Sequence, residues 1–373
     1  SNIDHRGAAY FAAPDLDPTR LRSPAFCLTF RSETIIDACQ NSTGSKGKIY
    51  MAKKRIMVQM PISAGIHSVL AGRDDVEAVP YTELSEDNIM QHVGEYDAAI
   101  MGVAPFSERI AAMADKMQIV SRHGVGYDAI DIPALTRRGI PLTVVGIANS
   151  VTVAEHALFF MLALAKRAVL YDREVRKGNW TIRFDAPAYD LAGKKVMILG
   201  YGRIGRRLVP MVRAMGMQVH VHDPYVIQDA LVTAGVTPVE DWRQALPEMD
   251  FLSVNCPKNE ETNGMIGAAE LASMKPTAYV INTARGNIVD EKALYTALKN
   301  NRIAGAGIDP FVVEPATPDE PLFQLDNILV SPHSAGVTEE SMFRMGAAAA
   351  QNVLDCFDGK LNPDNVVNKE VLK

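Results

Sequence analysis

The sequence is short of cysteine, of net positive charge and of long apolar runs. Its four cysteines, Cys27, Cys39, Cys256 and Cys356, have neither metal-ligand spacing nor the density of a disulfide framework, so no metal site is expected. Such sparse usage fits a reducing compartment, and a cytoplasmic protein is expected. Lysines and arginines number 38 against 44 aspartates and glutamates, a net charge of −6 with no long basic stretch. Nucleic acid is therefore not an expected partner. No apolar run reaches the roughly 18–20 residues that span a bilayer, so no membrane association is expected either. Methionine is absent before Met51, although the chain has 17.

What is there reads as a globular protein. The 373 residues allow two domains, at roughly 150 residues each. The 47% hydrophobic content is enough for a sizeable core. The first fifty residues differ from the rest. "AAPDLDPTRLRSP" and "ACQNSTGSKGK" are rich in Pro, Ser, Gly and Asn and carry no sustained periodicity. Residues 1–51 are expected to form a flexible N-terminal extension, with Ser1-Asn2 of the kind left by an expression tag. A transit peptide is the rival reading. Asp4, Asp15, Asp17, Glu33 and Asp37 argue against it, because transit peptides are poor in acidic residues.

From Met51 onward short apolar strands alternate with helices. "RIMVQMPI", "DVEAVPY", "YDAAIMGV", "MQIVSRHG" and "IPLTVVG" read as strands, and "SERIAAMADKM" and "DIPALTRRG" as helices between them. That alternation predicts a parallel sheet. One long helix is predicted over 152–178, nearly all apolar in its first half and charged in its second. A helix apolar on every side must be buried, in its own chain or against a second copy.

A glycine loop follows. In "GKKVMILGYGRIGRRLVPMVRAMG" an apolar strand, a turn and a helix carry Gly200, Gly202 and Gly205, spaced G-x-G-x-x-G. The first glycine permits the tight turn, the second lets the backbone approach a pyrophosphate, and the third lets helix and strand pack closely. The phosphates would sit at the helix N-terminus, where free N–H groups and the helix dipole favour negative charge. The next strand, "MQVHVHD", ends in Asp223, 21 residues after Gly202. A carboxylate there accepts the two hydroxyls of an adenosine ribose and repels a 2′-phosphate, which predicts NAD as cofactor. His220 and His222 are read as surface or core residues.

Three more strands end in polar residues. "DFLSVNCP" ends at Pro257, "AYVINTARG" in Thr283, Ala284 and Arg285, and "IAGAGIDPF" at Asp309; "NILVSP" leads into His333. Ligands of open α/β sheets bind beyond the carboxyl ends of the strands. Arg285 could grip a carboxylate with two parallel bonds. Glu314, five residues after Asp309, could fix the tautomer of His333 and stabilise its charged form. Each has a plainer reading, as loop acid, surface arginine or loop histidine; together, at successive strand ends, they point to a site.

At this point the chain resembles the D-isomer-specific 2-hydroxyacid dehydrogenases. The resemblance runs from about residue 54 to the C-terminus on "RHGVGYDAID" (122–131), "NSVTVAEH" (149–156), "LGYGRIG" (199–205), "INTARGNIVDEKAL" (281–294), "GIDPFVVEP" (307–315) and "SPHSAG" (331–336). It implies an α/β fold of two doubly wound parallel-sheet domains, a Rossmann NAD-binding domain (151–333) inserted into a flavodoxin-like substrate domain (52–150 and 334–373). It implies Arg285, Glu314 and His333 as the catalytic trio. The implied cofactor contacts are Arg203, Ile204, Asp223, Thr283 and Asp309, completed by the three glycines, Pro257, Thr262, Ala284, Arg285 and His333. Backbone amides of Val125 and Gly126, with Arg285, would hold the substrate carboxylate. A homodimer through the helix starting near Thr152 is also implied.

The activity so implied is hydride transfer between NADH and a small 2-oxo acid. Many phosphoglycerate dehydrogenases carry an Arg-Ser pair at the end of the third strand, where this chain has Met101, Gly102, Val103 and Ala104. Only 14 residues follow Gly359, too few for the regulatory domain that some append. An unphosphorylated substrate is therefore expected. The alternatives are an NAD-sensing corepressor-type binding protein on the same fold and a formate or phosphite dehydrogenase-like enzyme. Formate enzymes usually carry glutamine where Glu314 stands.

Overall fold

In a computed structural model of the chain, residues 52–59, 63–83 and 85–372 are described. The expected N-terminal extension, residues 1–51, lies outside them. Five strands form the first sheet: β1 (Lys54–Val58), β2 (Val76–Pro80), β3 (Ala98–Met101), β4 (Ile119–Arg122) and β5 (Leu142–Thr143), in the order β2-β1-β3-β4-β5. Seven form the second: β6 (Lys195–Leu199), β7 (Gln218–His222), β8 (Thr237–Pro238), β9 (Phe251–Val254), β10 (Tyr279–Asn282), β11 (Gly305–Ile308) and β12 (Ile328–Val330), in the order β12-β11-β10-β9-β6-β7-β8. Every pairing between these strands is parallel. The first order is that of flavodoxin-like sheets, and the second contains the dinucleotide-binding order, as expected.

Strands buried on both faces need nearly continuous apolar sequence. β3, β9, β10 and β11 meet that demand, with all residues buried. In the second sheet Met197, Leu252 and Val280 pack against Leu271, Leu294 and Leu298 on one face. Val196, Ile198 and Ile281 pack against Ala157, Phe160 and Leu208 on the other. The helix Ser150–Ala165 leaves the first sheet and lies on the second, against β10, β11 and the helix Gly205–Ala214. The C-terminal helix Glu339–Phe357 returns to the first sheet, where Met345, Ala349 and Val353 pack on Ile56, Val58 and Ile100.

Two elements differ from the sequence-based expectation. The single helix over 152–178 is two, Ser150–Ala165 and Ala168–Arg176, broken at Arg167 with φ of 51°. Contacts from outside the helix hold the break. Arg167 Nε donates to Pro187 O at 3.0 Å, and Tyr189 N donates to Ala165 O at 2.9 Å, satisfying a helix-end carbonyl. The strand read in "IPLTVVG" shrinks to Leu142–Thr143 in the sheet. Its free edge is taken by the C-terminal segment: Val144 N donates to Asn365 O at 3.0 Å and Val367 N to Leu142 O at 2.8 Å.

Candidate functional site

The two sheets present their carboxyl ends to a common region, and each supplies a glycine loop. In the second sheet the loop follows β6. Gly200 has φ of 96°, and a Cβ there would lie 2.9 Å from the backbone of Asn255. A Cβ on Gly205 would lie 2.2 Å from Gly200 O, whereas one on Gly202 would meet nothing within 4 Å. So the first glycine makes the turn, the third lets the helix sit on the strand, and the second leaves its backbone open to a ligand. A cavity of about 570 Å³ opens there, lined by Ile147, Gly202, Arg203, Arg206 and Arg207. Guanidinium groups over a helix N-terminus suit a pyrophosphate. Ile204 is the N-cap residue of that helix.

Asp223 stands at the end of β7, as expected. Its Oδ2 accepts from Tyr201 N at 2.7 Å and its Oδ1 from Tyr225 N at 2.9 Å. The carboxylate staples the glycine loop, and each oxygen keeps a lone pair for a ribose hydroxyl. His222 Nδ1 bonds Val239 O at 2.9 Å, and burial pushes the pKa of His220 down. After β9, Thr262 Oγ1 donates to Pro257 O at 2.7 Å and closes the loop Pro257–Thr262 on itself. Thr283 is buried, and its hydroxyl has no protein partner, as a residue facing a polar ligand would. These residues fit a dinucleotide: an open glycine, arginines at a helix N-terminus, a carboxylate with spare acceptor capacity and an orphaned hydroxyl.

In the first sheet the glycine loop follows β4. Arg122 points into it. Nε donates to Gly126 O at 2.7 Å, and Nη1 donates to Met101 O and His123 O at 3.0 Å each. Burial, with the nearby charge of Arg285, pushes the pKa of Arg122 down to about 10, so it remains charged at neutral pH. The amides of His123 and Gly124 are spent on Met101 O and Arg122 O, so with the carbonyls of His123 and Gly126 taken by a cation it is the amides of Val125 and Gly126 that are left for an anion. The sequence reading used Val125 and Gly126 but passed over Arg122, whose signal was an arginine at the last position of a buried strand beside "HGVG".

Arg285 follows β10 and lies over Gly126, where a Cβ would come 1.7 Å from Nη2. Its Nε donates to Asp128 Oδ2 at 2.9 Å and its Nη1 to Ala284 O at 2.7 Å. Buried Asn282 fixes the turn from below, accepting from Ala284 N at 3.0 Å and donating to Arg285 O at 2.9 Å. Neither Asp128 nor Asn282 figured in the sequence reading, although both lie in the quoted motifs.

Glu314 and His333 meet as expected. His333 Nδ1 lies 2.7 Å from Glu314 Oε2, and Glu314 Oε1 accepts from Phe311 N at 2.9 Å. An ionised carboxylate only accepts, so Nδ1 carries the proton and Nε2 is free to face a substrate. His333 has φ of 52°, a left-handed conformation rare for residues other than glycine. Asp309 sits at the end of β11 but is 1% exposed. Its Oδ1 accepts from Ser331 Oγ at 2.5 Å and Ser334 N at 2.7 Å, and its Oδ2 from Ala335 N at 3.0 Å. The expected cofactor ligand thus gives its carboxylate to the loop that carries His333. Among the described residues no cluster of three His, Cys, Asp or Glu could hold a metal ion.

Comparison with known proteins finds similar chains of one family. The family profile described as D-isomer specific 2-hydroxyacid dehydrogenase, NAD binding domain, matches residues 158–335. A glyoxylate reductase of Korarchaeum cryptofilum is 38% identical over 295 residues, 78% of this chain and 88% of that one. A D-3-phosphoglycerate dehydrogenase of Archaeoglobus fulgidus is 34% identical over 315 residues, 84% of this chain but 59% of that longer protein. Among solved structures, a glyoxylate reductase from Paecilomyes thermophila superposes with a TM-score of 0.75 at 27% identity, covering 86% of this chain and 100% of that one.

Proposed function

The chain belongs to the D-isomer-specific 2-hydroxyacid dehydrogenase family, and we propose that Arg285, Glu314 and His333 carry its chemistry on a small, unphosphorylated 2-oxo acid. It is an NAD-dependent oxidoreductase that interconverts 2-oxo acids and D-2-hydroxy acids. The observation that carries the assignment of roles is the 2.7 Å contact between His333 Nδ1 and Glu314 Oε2, which leaves Nε2 to handle the substrate proton.

The substrate carboxylate enters between Arg285 and the amides of Val125 and Gly126, exchanging with Asp128 for the guanidinium. Two charge-assisted bonds from Arg285 orient the carboxylate and draw electron density from the adjacent carbonyl. NADH, held by the loop after β6 with its arginines and Asp223, would supply the hydride to the carbonyl carbon. His333, as imidazolium, gives the Nε2 proton to the developing alkoxide, and in the oxidative direction its neutral form takes that proton back. Glu314 holds the ring in the useful tautomer throughout. The polar and charged side chains that a phosphate needs are absent from Met101–Ala104 at the end of β3, which favours an unphosphorylated substrate.

The packing of the helix Ser150–Ala165 on the second sheet and of Glu339–Phe357 on the first supports domain limits at 52–150 with 334–373, and 151–333. We further infer a homodimer through the helix Ser150–Ala165, on which Phe159 is 54% exposed, and a cytoplasmic location, on the free Cys256 and Cys356. No helix among the described residues is long and apolar enough to cross a membrane.

The test is NADH oxidation with glyoxylate, hydroxypyruvate, pyruvate, longer 2-oxo acids and 3-phosphohydroxypyruvate. Turnover of an unphosphorylated acid, lowered about 10²–10⁴-fold in His333→Ala, is the expected result. Turnover of the phosphorylated acid alone would overturn the substrate reading. Full activity of His333→Ala would overturn the roles. Sedimentation velocity, with Phe159→Asp expected to give monomer, tests the dimer.

A further inference from the structure

The loop that carries His333 is held from behind by a polar chain that reaches the helix Ser150–Ala165. Besides the three donors on its carboxylate, Asp309 receives at its backbone oxygen the N–H of His333, at 3.1 Å. Four donors from residues 331–335 therefore end on one buried residue. Behind Ser331 stands His156, with Nε2 3.0 Å from Ser331 Oγ. Its ring packs edge-on against Phe160, with centroids 4.5 Å apart, and against Phe159, at 5.6 Å.

The direction of this chain follows from counting protons. A carboxylate only accepts, and a serine hydroxyl has one proton to give. That proton goes to Asp309, so Ser331 Oγ can only accept from His156. The imidazole must then carry its proton on Nε2. This order, histidine to serine to aspartate, is the reverse of a nucleophilic triad, where the serine gives its proton to the histidine. Ser331 is therefore not activated for attack; it is a link.

We propose that His156 and Ser331 are positioning residues for His333: with Asp309 they form a one-way hydrogen-bond chain that holds the loop 331–335 in the shape that gives His333 its left-handed backbone and its contact with Glu314. A left-handed residue other than glycine persists only where its surroundings over-determine it, and this chain supplies the determination. Burial pushes the pKa of His156 down, which keeps it neutral at physiological pH; the Nε2–H donor is present in either protonation state. The proposal rests on the role assigned above to His333.

The variants are Ser331→Ala and His156→Leu, which remove a link, and Ser331→Thr and His156→Gln, which keep a hydroxyl or a donor. Each is measured for kcat, for KM of the 2-oxo acid, for NADH affinity by fluorescence, and for amide hydrogen exchange over residues 331–336, which needs no turnover. The removing variants are expected to lower kcat roughly ten- to hundredfold, the cost of a small misplacement of a reacting group. Their NADH affinity should change less than about twofold, and exchange over 331–336 should quicken. The conserving variants should recover most of the lost kcat. The double variant Ser331→Ala/His156→Leu should be little worse than Ser331→Ala alone, since the two act through one chain. Unchanged kcat in both removing variants would overturn the proposal, as would additive losses or failure of the conserving pair to rescue. Should either serine variant fail to fold, the histidine pair decides alone. If the wild-type protein turns over no 2-oxo acid, the assignment of His333 fails. The chain itself then stands or falls on the exchange rates.

Discussion

Two glycine loops face each other across this site, and they are held by opposite charges. The loop after β6 is stapled by a carboxylate: Asp223 takes the N–H groups of Tyr201 and Tyr225. The loop after β4 is stapled by a cation: Arg122 takes the carbonyls of Gly126, His123 and Met101. In the function proposed above both loops have an anion to bind, a pyrophosphate in one case and a small carboxylate in the other. A staple that consumes amides leaves the first loop to draw positive potential from elsewhere, from the helix Gly205–Ala214 and from Arg203, Arg206 and Arg207. A staple that consumes carbonyls spends no amides and adds its own charge. A large anion can be met by distributed arginines. A small one needs a few donors at fixed positions, and a buried, well-bonded guanidinium fixes them.

The largest effect should come from the residue that bridges the two halves. If the amides of Val125 and Gly126 gripped the substrate carboxylate unaided, Arg285→Leu would cost little. We expect instead that it lowers kcat/KM about 10²–10⁴-fold, the equivalent of two bonds to a charged group at about 1.5–3 kcal/mol each. NADH binding should be nearly untouched, as titration of protein fluorescence would show. The next effect sharpens the contrast between the staples. Arg122→Met keeps the length of the side chain and removes its donors. We expect KM for the 2-oxo acid to rise roughly ten- to hundredfold, since misplaced amides lose orientation as well as strength. Affinity for NADH should again hold. A variant that lost both ligands equally would show that the two loops are one cooperative unit and that the comparison is empty.

The sequence made these halves unequally legible. The loop after β6 announced itself through Gly200, Gly202 and Gly205, because each glycine answers a local steric demand that spacing reveals. Glu314 and His333 were readable as a pair because strand ends in a parallel sheet converge. Arg122, Asp128 and Asn282 were not. Arg122 and Asn282 close turns on backbone groups mostly one to four residues away, which residue type alone does not announce, and Asp128 depends on a guanidinium distant in sequence, that of Arg285, 157 positions apart. The same holds for the helix break at Arg167, in a stretch without glycine or proline. Pro187 and Tyr189 decide it, and no local propensity records them. Asp309 was legible in position and not in use. The strand reading placed it at the site, but only the fold brings the loop 331–335 down onto its carboxylate.

The carboxylate staple has its own test. Asp223 keeps one lone pair per oxygen for a ribose diol, and a 2′-phosphate would meet its charge. Wild-type protein should prefer NADH over NADPH by at least roughly a hundredfold. Asp223→Ala should lower that preference about tenfold or more, partly by weakening NADH, since the amides of Tyr201 and Tyr225 lose their acceptor. Initial rates with the two coenzymes at limiting concentration measure this. Equal use of both by the wild type would remove Asp223 from the cofactor site and leave it as a staple alone.

The smallest effect concerns the carboxylate that the protein itself places on Arg285. Asp128 belongs to the loop after β4, two residues beyond Gly126, and its Oδ2 lies 2.9 Å from Arg285 Nε across the halves. A substrate carboxylate must take Arg285 from it or share it. The aspartate side chain is 62% exposed, so the pair is solvent-screened and worth little. Exposed pairs typically contribute about 0.2–1 kcal/mol, a factor of roughly 1.4 to 5 in an equilibrium. Asp128→Asn keeps the shape and removes the charge. Arg285 stays anchored through Nη1 to Ala284 O and through Asn282 to its own backbone oxygen. KM for the 2-oxo acid should therefore fall by about that factor, with kcat unchanged, and the difference should shrink in high salt as screening erases the competition. A rise in KM, with or without salt, would mean that Asp128 is a strut that aims Arg285 and not a competitor for it. The cation-stapled loop would then be supplying part of the aim as well as the amides.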